Sequence, residues 1–272
     1  MAIVFVGGGR ITSALLAGLR LADYKEPIVV HDRNAHKLRA LKKQFSVATE
    51  PDLRRAVAQA SMFIIAVRPS DVAGVLERVR EAAFLHGILR KSQRRLIACS
   101  LAAGIPMAKL KAALGPPVRW GRAMPSPVAR TRRGLTAVTF ERGFPRSARK
   151  RLEGLFAKVG TVLEVPESKF DAFTATYSSS HGYHALSALA RAGQKLGLDH
   201  RIAFAAAAHA LADGIVSWRE EDTALEDLLH EAATPGGIAA TVMRTMDLAG
   251  YLKAIEKGLR AGVGRARKNA RG

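Results

Sequence analysis

Along the first 165 residues, short apolar runs alternate with longer stretches whose apolar positions recur every three or four residues. IVFV (3–6), PIVVH (27–31), MFIIAV (62–67) and RLIACS (95–100) are nearly continuous, as strands are when helices cover both faces of a parallel sheet. Between them, SALLAGLRLA (13–22) has helical spacing. VRWGRAM (118–124), LTAVTF (135–140) and residues 160–165 read as further strands. This βαβ alternation predicts a Rossmann-type, doubly wound α/β domain over residues 1–165.

Around Pro166 the pattern changes to helix alone. ALSALARAGQKLGL (185–198), RIAFAAAAHALADGIVSW (201–218), TALEDLLHEAA (223–233) and a closing YLKAIEKGLRAGV (251–263) are periodic, and TPGG (234–237) interrupts them sharply. An all-α domain over 166–272 is expected, its alanine-rich helix suited to close packing against other helices. A helical domain this apolar is expected to complete its core in a homodimer or higher homo-oligomer built through these helices. The basic tail RARKNARG (265–272) reads as frayed.

Composition narrows the class. With 48% apolar and 24% charged residues the chain is too apolar to be disordered. Cys99 is the single cysteine, which excludes an intramolecular disulfide and the cysteine-rich zinc motifs. No apolar run reaches the ~18 residues a membrane span needs, and the opening MAIVFVGGG lacks a basic signal region. A cytoplasmic protein with no membrane partner is therefore expected. Residues 1–163 hold 30 basic and 10 acidic side chains, whereas 164–272 hold 13 of each, so the whole +20 surplus sits in the first part. Such a field attracts anions: a phosphorylated cofactor, an acidic substrate or, nonspecifically, nucleic acid. A solvated arginine-rich surface is the plainer explanation. No nucleic-acid motif accompanies the charge, and only Trp120 reads as an exposed aromatic within it, so a nucleic-acid partner is not expected.

The strand at 3–6 runs straight into Gly7-Gly8-Gly9-Arg10-Ile11-Thr12, with a helix directly after. Gly7 suits a tight turn, Gly9 lets a pyrophosphate approach the backbone, and Thr12 takes the helix-packing place usually held by Gly or Ala. The helix start, with Arg10 and Ile11, offers free N–H groups to phosphate. A second strand ends in His31-Asp32-Arg33-Asn34. Asp32 is placed to hold the ribose hydroxyl of NAD(H), while Arg33, Asn34 and Lys37 suit the extra phosphate of NADP(H). The basic field favours NADP(H), with NAD(H) as the alternative.

With this loop, AVRPSD (66–71), SLAAGI (100–105), RAMP (122–125) and TPGG (234–237) in order, the chain resembles the pyrroline-5-carboxylate reductase family. FAKVGTVLEV (156–165), ALARAGQKLGL (188–198) and the closing helix extend the likeness over nearly the whole length. The resemblance implies an NAD(P)-binding Rossmann domain, then a helical domain that interlocks with a second subunit. It also implies hydride transfer from nicotinamide to a small cyclic imine, yielding proline. Ala66-Val67-Arg68-Pro69 matches the family's AVKP turn along the nicotinamide half of the cofactor, with Arg68 replacing lysine. Ser100 to Gly104, including Ala102 and Ala103, matches its SIAAG segment near the same ring.

Departures cluster where the resemblance places the substrate. The family's MPNTPA becomes Met124-Pro125-Ser126-Pro127-Val128-Ala129, and its SGSGPAY becomes Tyr177-Ser178-Ser179-Ser180-His181-Gly182-Tyr183. Its SPGGTT becomes Thr234-Pro235-Gly236-Gly237-Ile238-Ala239, so the threonine often given the role of proton donor is Ile238. Met124, Ser126, Ser179, Pro235, Gly236, Gly237 and Ile238 are the implied substrate contacts. Thr234 and the glycine backbone remain able to hold a carboxylate at a helix start. Candidate proton donors are the serine run with Ser180, Tyr177, Tyr183, His181 and His184, with His181 preferred for its near-neutral pKa. Helix capping by the serines, and packing by the histidines, are the plain alternatives. His181 and His184 lack a third ligand by spacing, so no metal is expected. Two other functions stay open: a related oxidoreductase with another imine or keto substrate, and a non-catalytic NADP-binding dimer with a basic polyanion-binding surface.

Overall fold

A computed structural model describes residues 2–85, 96–221 and 223–271. Met1, Arg95 and Gly272, which belong to segments read above, lie outside the described residues. The chain forms two compact units, residues 1–177 together with 262–272, and residues 178–261.

The first unit is built on β1 (Ala2–Val6), β2 (Ile28–His31), β3 (Ala48–Thr49), β4 (Ala60–Ile65), β5 (Ile97–Ser100), β6 (Arg119–Met124), β7 (Gly134–Phe140) and β8 (Gly160–Glu164). They form one sheet in the order β3-β2-β1-β4-β5-β6-β7-β8. All neighbours are parallel except β6 and β7, which run antiparallel. Successive side chains of each strand divide between two cores. Val4, Val6, Phe63, Ile65, Ala98 and Trp120 enter one; Ile3, Phe5, Met62, Ile64, Ile97 and Cys99 enter the other. This is why the strands read as unbroken apolar runs.

Helices α1 (Arg10–Leu21), α2 (Ala35–Phe45) and α6 (Arg146–Ala157) supply Leu15, Leu16, Leu19, Leu38, Leu41, Phe45, Leu152, Leu155 and Phe156 to the second core. Helices α3 (Leu53–Gln59), α4 (Val72–Leu85) and α5 (Met107–Ala113) supply Ala56, Val57, Val75, Leu76, Val79 and Leu110 to the first. The doubly wound architecture is as expected, with β3 and α3 added. Asp52 starts α3 by accepting the Arg54 and Arg55 N–H groups, the usual end-cap of a helix.

Trp120 is not exposed. It is buried in the first core, its ring edge-on to Phe63 and its indole N–H donated to the Leu114 carbonyl at 2.7 Å. An apolar face backed by a ready acceptor outweighs the polarity of its arginine-rich neighbours.

Helices follow from residue 170 onward: α7 (Phe170–Thr176) in the first unit, then α8 (Ser179–Lys195), α9 (His200–Glu220), α10 (Leu225–Ala232), α11 (Ile238–Leu248) and α12 (Tyr251–Arg271). The division at residue 165 marks the end of the strands; α7 packs with them, with Phe170 buried beside Ala137 and Val165. Nor is the tail frayed. Helix α12 continues through it, and Ala266 is buried. Helix α11 follows directly on the TPGG turn, at the helix start that the resemblance implies there, and runs over Ile238–Leu248, which the periodic segments above leave out.

In the second unit, Ala190, Ala203 and Ala207 are the described residues that are buried. Leu189, Ile202, Ile215, Trp218, Leu229 and Val242 are all exposed on this chain. His209 is exposed too, paired with Asp213 one turn on at 2.8 Å. Among the described residues no helix is long and apolar enough to cross a membrane.

Candidate active site

The loops that leave the carboxyl ends of β1, β2, β4, β5 and β6 share one edge of the sheet. The chain order reverses between β1 and β4, which are neighbours, and that junction opens the crevice where doubly wound sheets take ligands. Gly7 lies at it with φ +114°, and a Cβ there would stand 2.6 Å from the Ala66 carbonyl oxygen. No other residue fits the turn without strain. The Gly7 N–H donates to His31 and the Ala66 N–H to Val6, each at 2.8 Å, so the Gly7 and Ala66 turns are locked side by side.

Gly9 differs. Its φ of −82° suits any residue, and a Cβ would meet nothing within 4 Å. Neither conformation nor packing requires glycine there, and the space beside it is open. Gly9 also begins α1 with no side-chain cap, leaving helix-start N–H groups and their partial positive charge to an anion. Thr12 is fully buried and donates its hydroxyl to the Gly7 carbonyl at 2.5 Å. It ties the helix to the loop as well as packing beneath it. Arg10 is exposed and Ile11 half-buried. These residues fit a dinucleotide pyrophosphate.

At the end of β2 the carboxylate is already engaged. Asp32 accepts the Gly8 N–H on Oδ2 and the Asn34 N–H on Oδ1, each at 2.8 Å, and Lys37 Nζ stands 3.7 Å away. Asn34 Oδ1 caps α2, accepting from His36 and Lys37. Arg33 and Lys37 are exposed cations at a helix start.

Ala66 is buried, Val67 and Pro69 half-buried, and Arg68 exposed at the head of a short 3-10 turn. Leu101 N–H donates to Ile65 at 2.9 Å, bringing the loop with Ala102 and Ala103 beside the Ala66 turn. In the next loop Met124 is partly buried. Ser126 is buried, its hydroxyl accepting the Val128 N–H at 3.1 Å.

Between these loops the structure reveals a charge the sequence did not single out. Arg122 is buried on β6, paired with Glu167 at 2.8 Å and lying over the Phe170 ring at 4.5 Å. Glu167 also accepts the Met107 N–H that starts α5, at 2.8 Å. Asp171 Oδ1 is 3.9 Å from Arg122 Nη2. The arginine of RAMP therefore anchors the strand-to-helix junction.

In the second unit, Ser178 caps α8, accepting from Ser180 N–H at 3.4 Å, and the two hydroxyls bond at 2.7 Å. Ser179 is half-buried; Ser180, His181, Tyr183 and His184 are exposed on the first turns. Tyr177, in the first unit, accepts the Leu135 N–H on its hydroxyl at 2.6 Å. Thr234 to Gly237 form a turn closed by the Gly237 N–H on Thr234, at 2.8 Å. Gly237 then begins α11 without a side-chain cap. Thr234, Pro235, Gly236 and Ile238 are exposed. Thr241, which sequence reading passed over, puts a second hydroxyl on this first turn, donating to the Gly237 carbonyl at 3.0 Å.

Comparison with known proteins shows the family of the chain. Residues 2–89 match the family model described as NADP oxidoreductase coenzyme F420-dependent. Residues 167–269 match the pyrroline-5-carboxylate reductase dimerisation model. The pyrroline-5-carboxylate reductase of Thermus thermophilus is 30% identical over 96% of this chain and 97% of its own length. The chain belongs to the pyrroline-5-carboxylate reductase family.

The structure of the Coxiella burnetii pyrroline-5-carboxylate reductase is 25% identical, covers 98% of both chains and superposes with a TM-score of 0.85. A Plasmodium falciparum pyrroline carboxylate reductase with NADP bound shares the fold, at 18% identity, TM-score 0.84 and coverage of 99% and 98%.

Proposed function

We propose that the protein reduces pyrroline-5-carboxylate to proline with NADPH, accepting NADH less well. The full-length kinship with pyrroline-5-carboxylate reductases carries this reading. It favours that reaction over another imine or keto substrate, and over a non-catalytic polyanion binder, which the burial of Trp120 also weakens. Gly7, Gly9, Arg10, Ile11 and Thr12 hold the pyrophosphate of the cofactor. Arg33 and Lys37 face the 2′-phosphate, and Asn34 presents them by capping α2. Because both Asp32 oxygens already hold loop N–H groups, a ribose 2′-hydroxyl gains less from it than in an NAD enzyme. Ala66 to Pro69, with Ala102 and Ala103, border the nicotinamide half. Bound NADPH supplies the hydride, and a proton from elsewhere completes the amine.

Thr234, Pro235, Gly236 and Gly237 hold the substrate carboxylate at the uncapped start of α11; Met124, Ser126, Ser179 and Ile238 are the further substrate contacts that the family kinship suggests. Ile238 cannot donate a proton. The imine arrives protonated from solution or receives its proton from His181 or Ser180. Positioning then supplies most of the rate.

The chain acts as a homodimer or larger homo-oligomer through its C-terminal helices. Among the described residues of the helical unit only three alanines are buried, and a second copy covers the exposed Ile202, Ile215 and Trp218. Purified protein should oxidise NADPH when given pyrroline-5-carboxylate. Turnover with a six-membered cyclic imine carboxylate alone would overturn the substrate assignment.

A further inference from the structure

The last turns of α12 return to the first unit and press on one loop. Gly262, Ala266 and Asn269 fall at i, i+4 and i+7, a single stripe of the helix. A Cβ on Gly262 would stand 3.3 Å from the Ala175 Cβ of α7, so a small residue lets the helix approach there. Ala266 is buried, and its backbone lies against Gly104, whose φ of +75° and lack of side chain the contact requires. Asn269 Nδ2 donates to the Ala103 carbonyl at 3.3 Å, across 166 positions of sequence. The loop 101–104 has no helix or strand of its own, and these are contacts that fix its backbone from outside.

We propose that Ala266 and Asn269, on the last turns of α12, are positioning residues for the nicotinamide half of the cofactor, acting on the backbone of Ala102 to Gly104. The proposal rests on the reading that this loop borders that half. Asn269 sets the direction of the peptide after Ala103, and Ala266 limits how far Gly104 can withdraw. A loop so held presents one backbone arrangement to the ring, so less ordering remains to be done on binding. The tail acts through the loop, by its contacts with Ala103 and Gly104.

The test measures dissociation constants of the full-length protein for NADPH and for 2′-phospho-ADP-ribose, which lacks the nicotinamide. Asn269→Ala should weaken NADPH about three- to tenfold, the loss of one hydrogen bond, and leave 2′-phospho-ADP-ribose unchanged. Asn269→Gln, which keeps the donor, should recover most of the loss, and the exposed neighbour Lys268→Ala should change neither constant. Without ligand, amide exchange at residues 101–105 should be faster in Asn269→Ala. Equal weakening of both ligands, or of neither, overturns the proposal while leaving the cofactor reading intact. Wild-type protein that binds neither ligand overturns the cofactor reading, and this proposal with it.

Discussion

Gly7 and Gly9 stand two residues apart in one loop, and alanine should affect them in opposite ways. At Gly7 the φ of +114° is unfavourable for alanine and the new Cβ would lie 2.6 Å from a backbone oxygen that cannot retreat. Backbone strain of about 1–3 kcal/mol adds to overpacking of about 1–3 kcal/mol. Gly7→Ala should thus cost about 3 kcal/mol, a large share of a stability that is typically about 5–15 kcal/mol. Melting should fall by about 10 °C, at roughly 2–4 °C per kcal/mol for a domain of this size. At Gly9 the Cβ meets nothing within 4 Å and φ is ordinary, so Gly9→Ala should leave stability unchanged or raise it by about 0.4–1 kcal/mol through the unfolded chain. Yet the same methyl occupies the approach to the helix start. Losing a single charge-assisted bond of about 1.5–3 kcal/mol from backbone N–H to phosphate weakens NADPH at least about tenfold. Thermal melting and NADPH titration of both variants separate the effects. Gly9→Ala that binds NADPH like wild type, or melts as low as Gly7→Ala, would refute the assignment of that open space to the pyrophosphate.

Other perturbations test other parts of the account. Glu167→Ala should lower stability by about 2 kcal/mol in urea unfolding, less than the full cost of breaking a buried pair, because Glu167 is 37% exposed and Asp171 remains near Arg122; an unchanged midpoint would show that the pair is not needed. Burial holds the His31 pKa below its ordinary value near 6.5, although the Glu50 carbonyl and Asp32 oppose the shift and Arg78 supports it. The unfolded chain then takes up a proton that the folded one refuses, so stability should fall as pH drops below about 6.5, and His31→Gln should flatten that slope. Ile202→Glu should reduce the mass measured by light scattering at micromolar concentration from a multiple of 29.2 kDa to a single chain. Ile238→Thr should raise kcat/KM for pyrroline-5-carboxylate several-fold if a hydroxyl there still reaches the imine; no gain would assign the proton to solution, His181 or Ser180.

What the sequence made legible follows from where side chains are buried. The central strands were readable because both faces are covered, so IVFV and MFIIAV carry no polar interruption. The two-residue β3 and the seven-residue α3 are too short to establish a period. Only the start of helix α11 was legible, from the glycine turn before it; its apolar residues, Ile238 and Val242 among them, are exposed on this chain and mark no core here. The tail escaped for a different reason. Its contacts are made by Gly262, Ala266 and Asn269, residues that no hydrophobic pattern marks. The tight turn after β1 was legible, because Gly7 answers a backbone constraint and Thr12 packs beneath the helix start. Arg122 was not, since nothing in RAMP says that Glu167 and Asp171, more than forty positions later, lie beside it.

The most direct measurement follows the hydride itself. Protein given NADPH deuterated at the transferable position of nicotinamide C4, with pyrroline-5-carboxylate, should release proline carrying deuterium at the former imine carbon, faster than with deuterated NADH. NADPH that binds without yielding labelled proline would contradict the account.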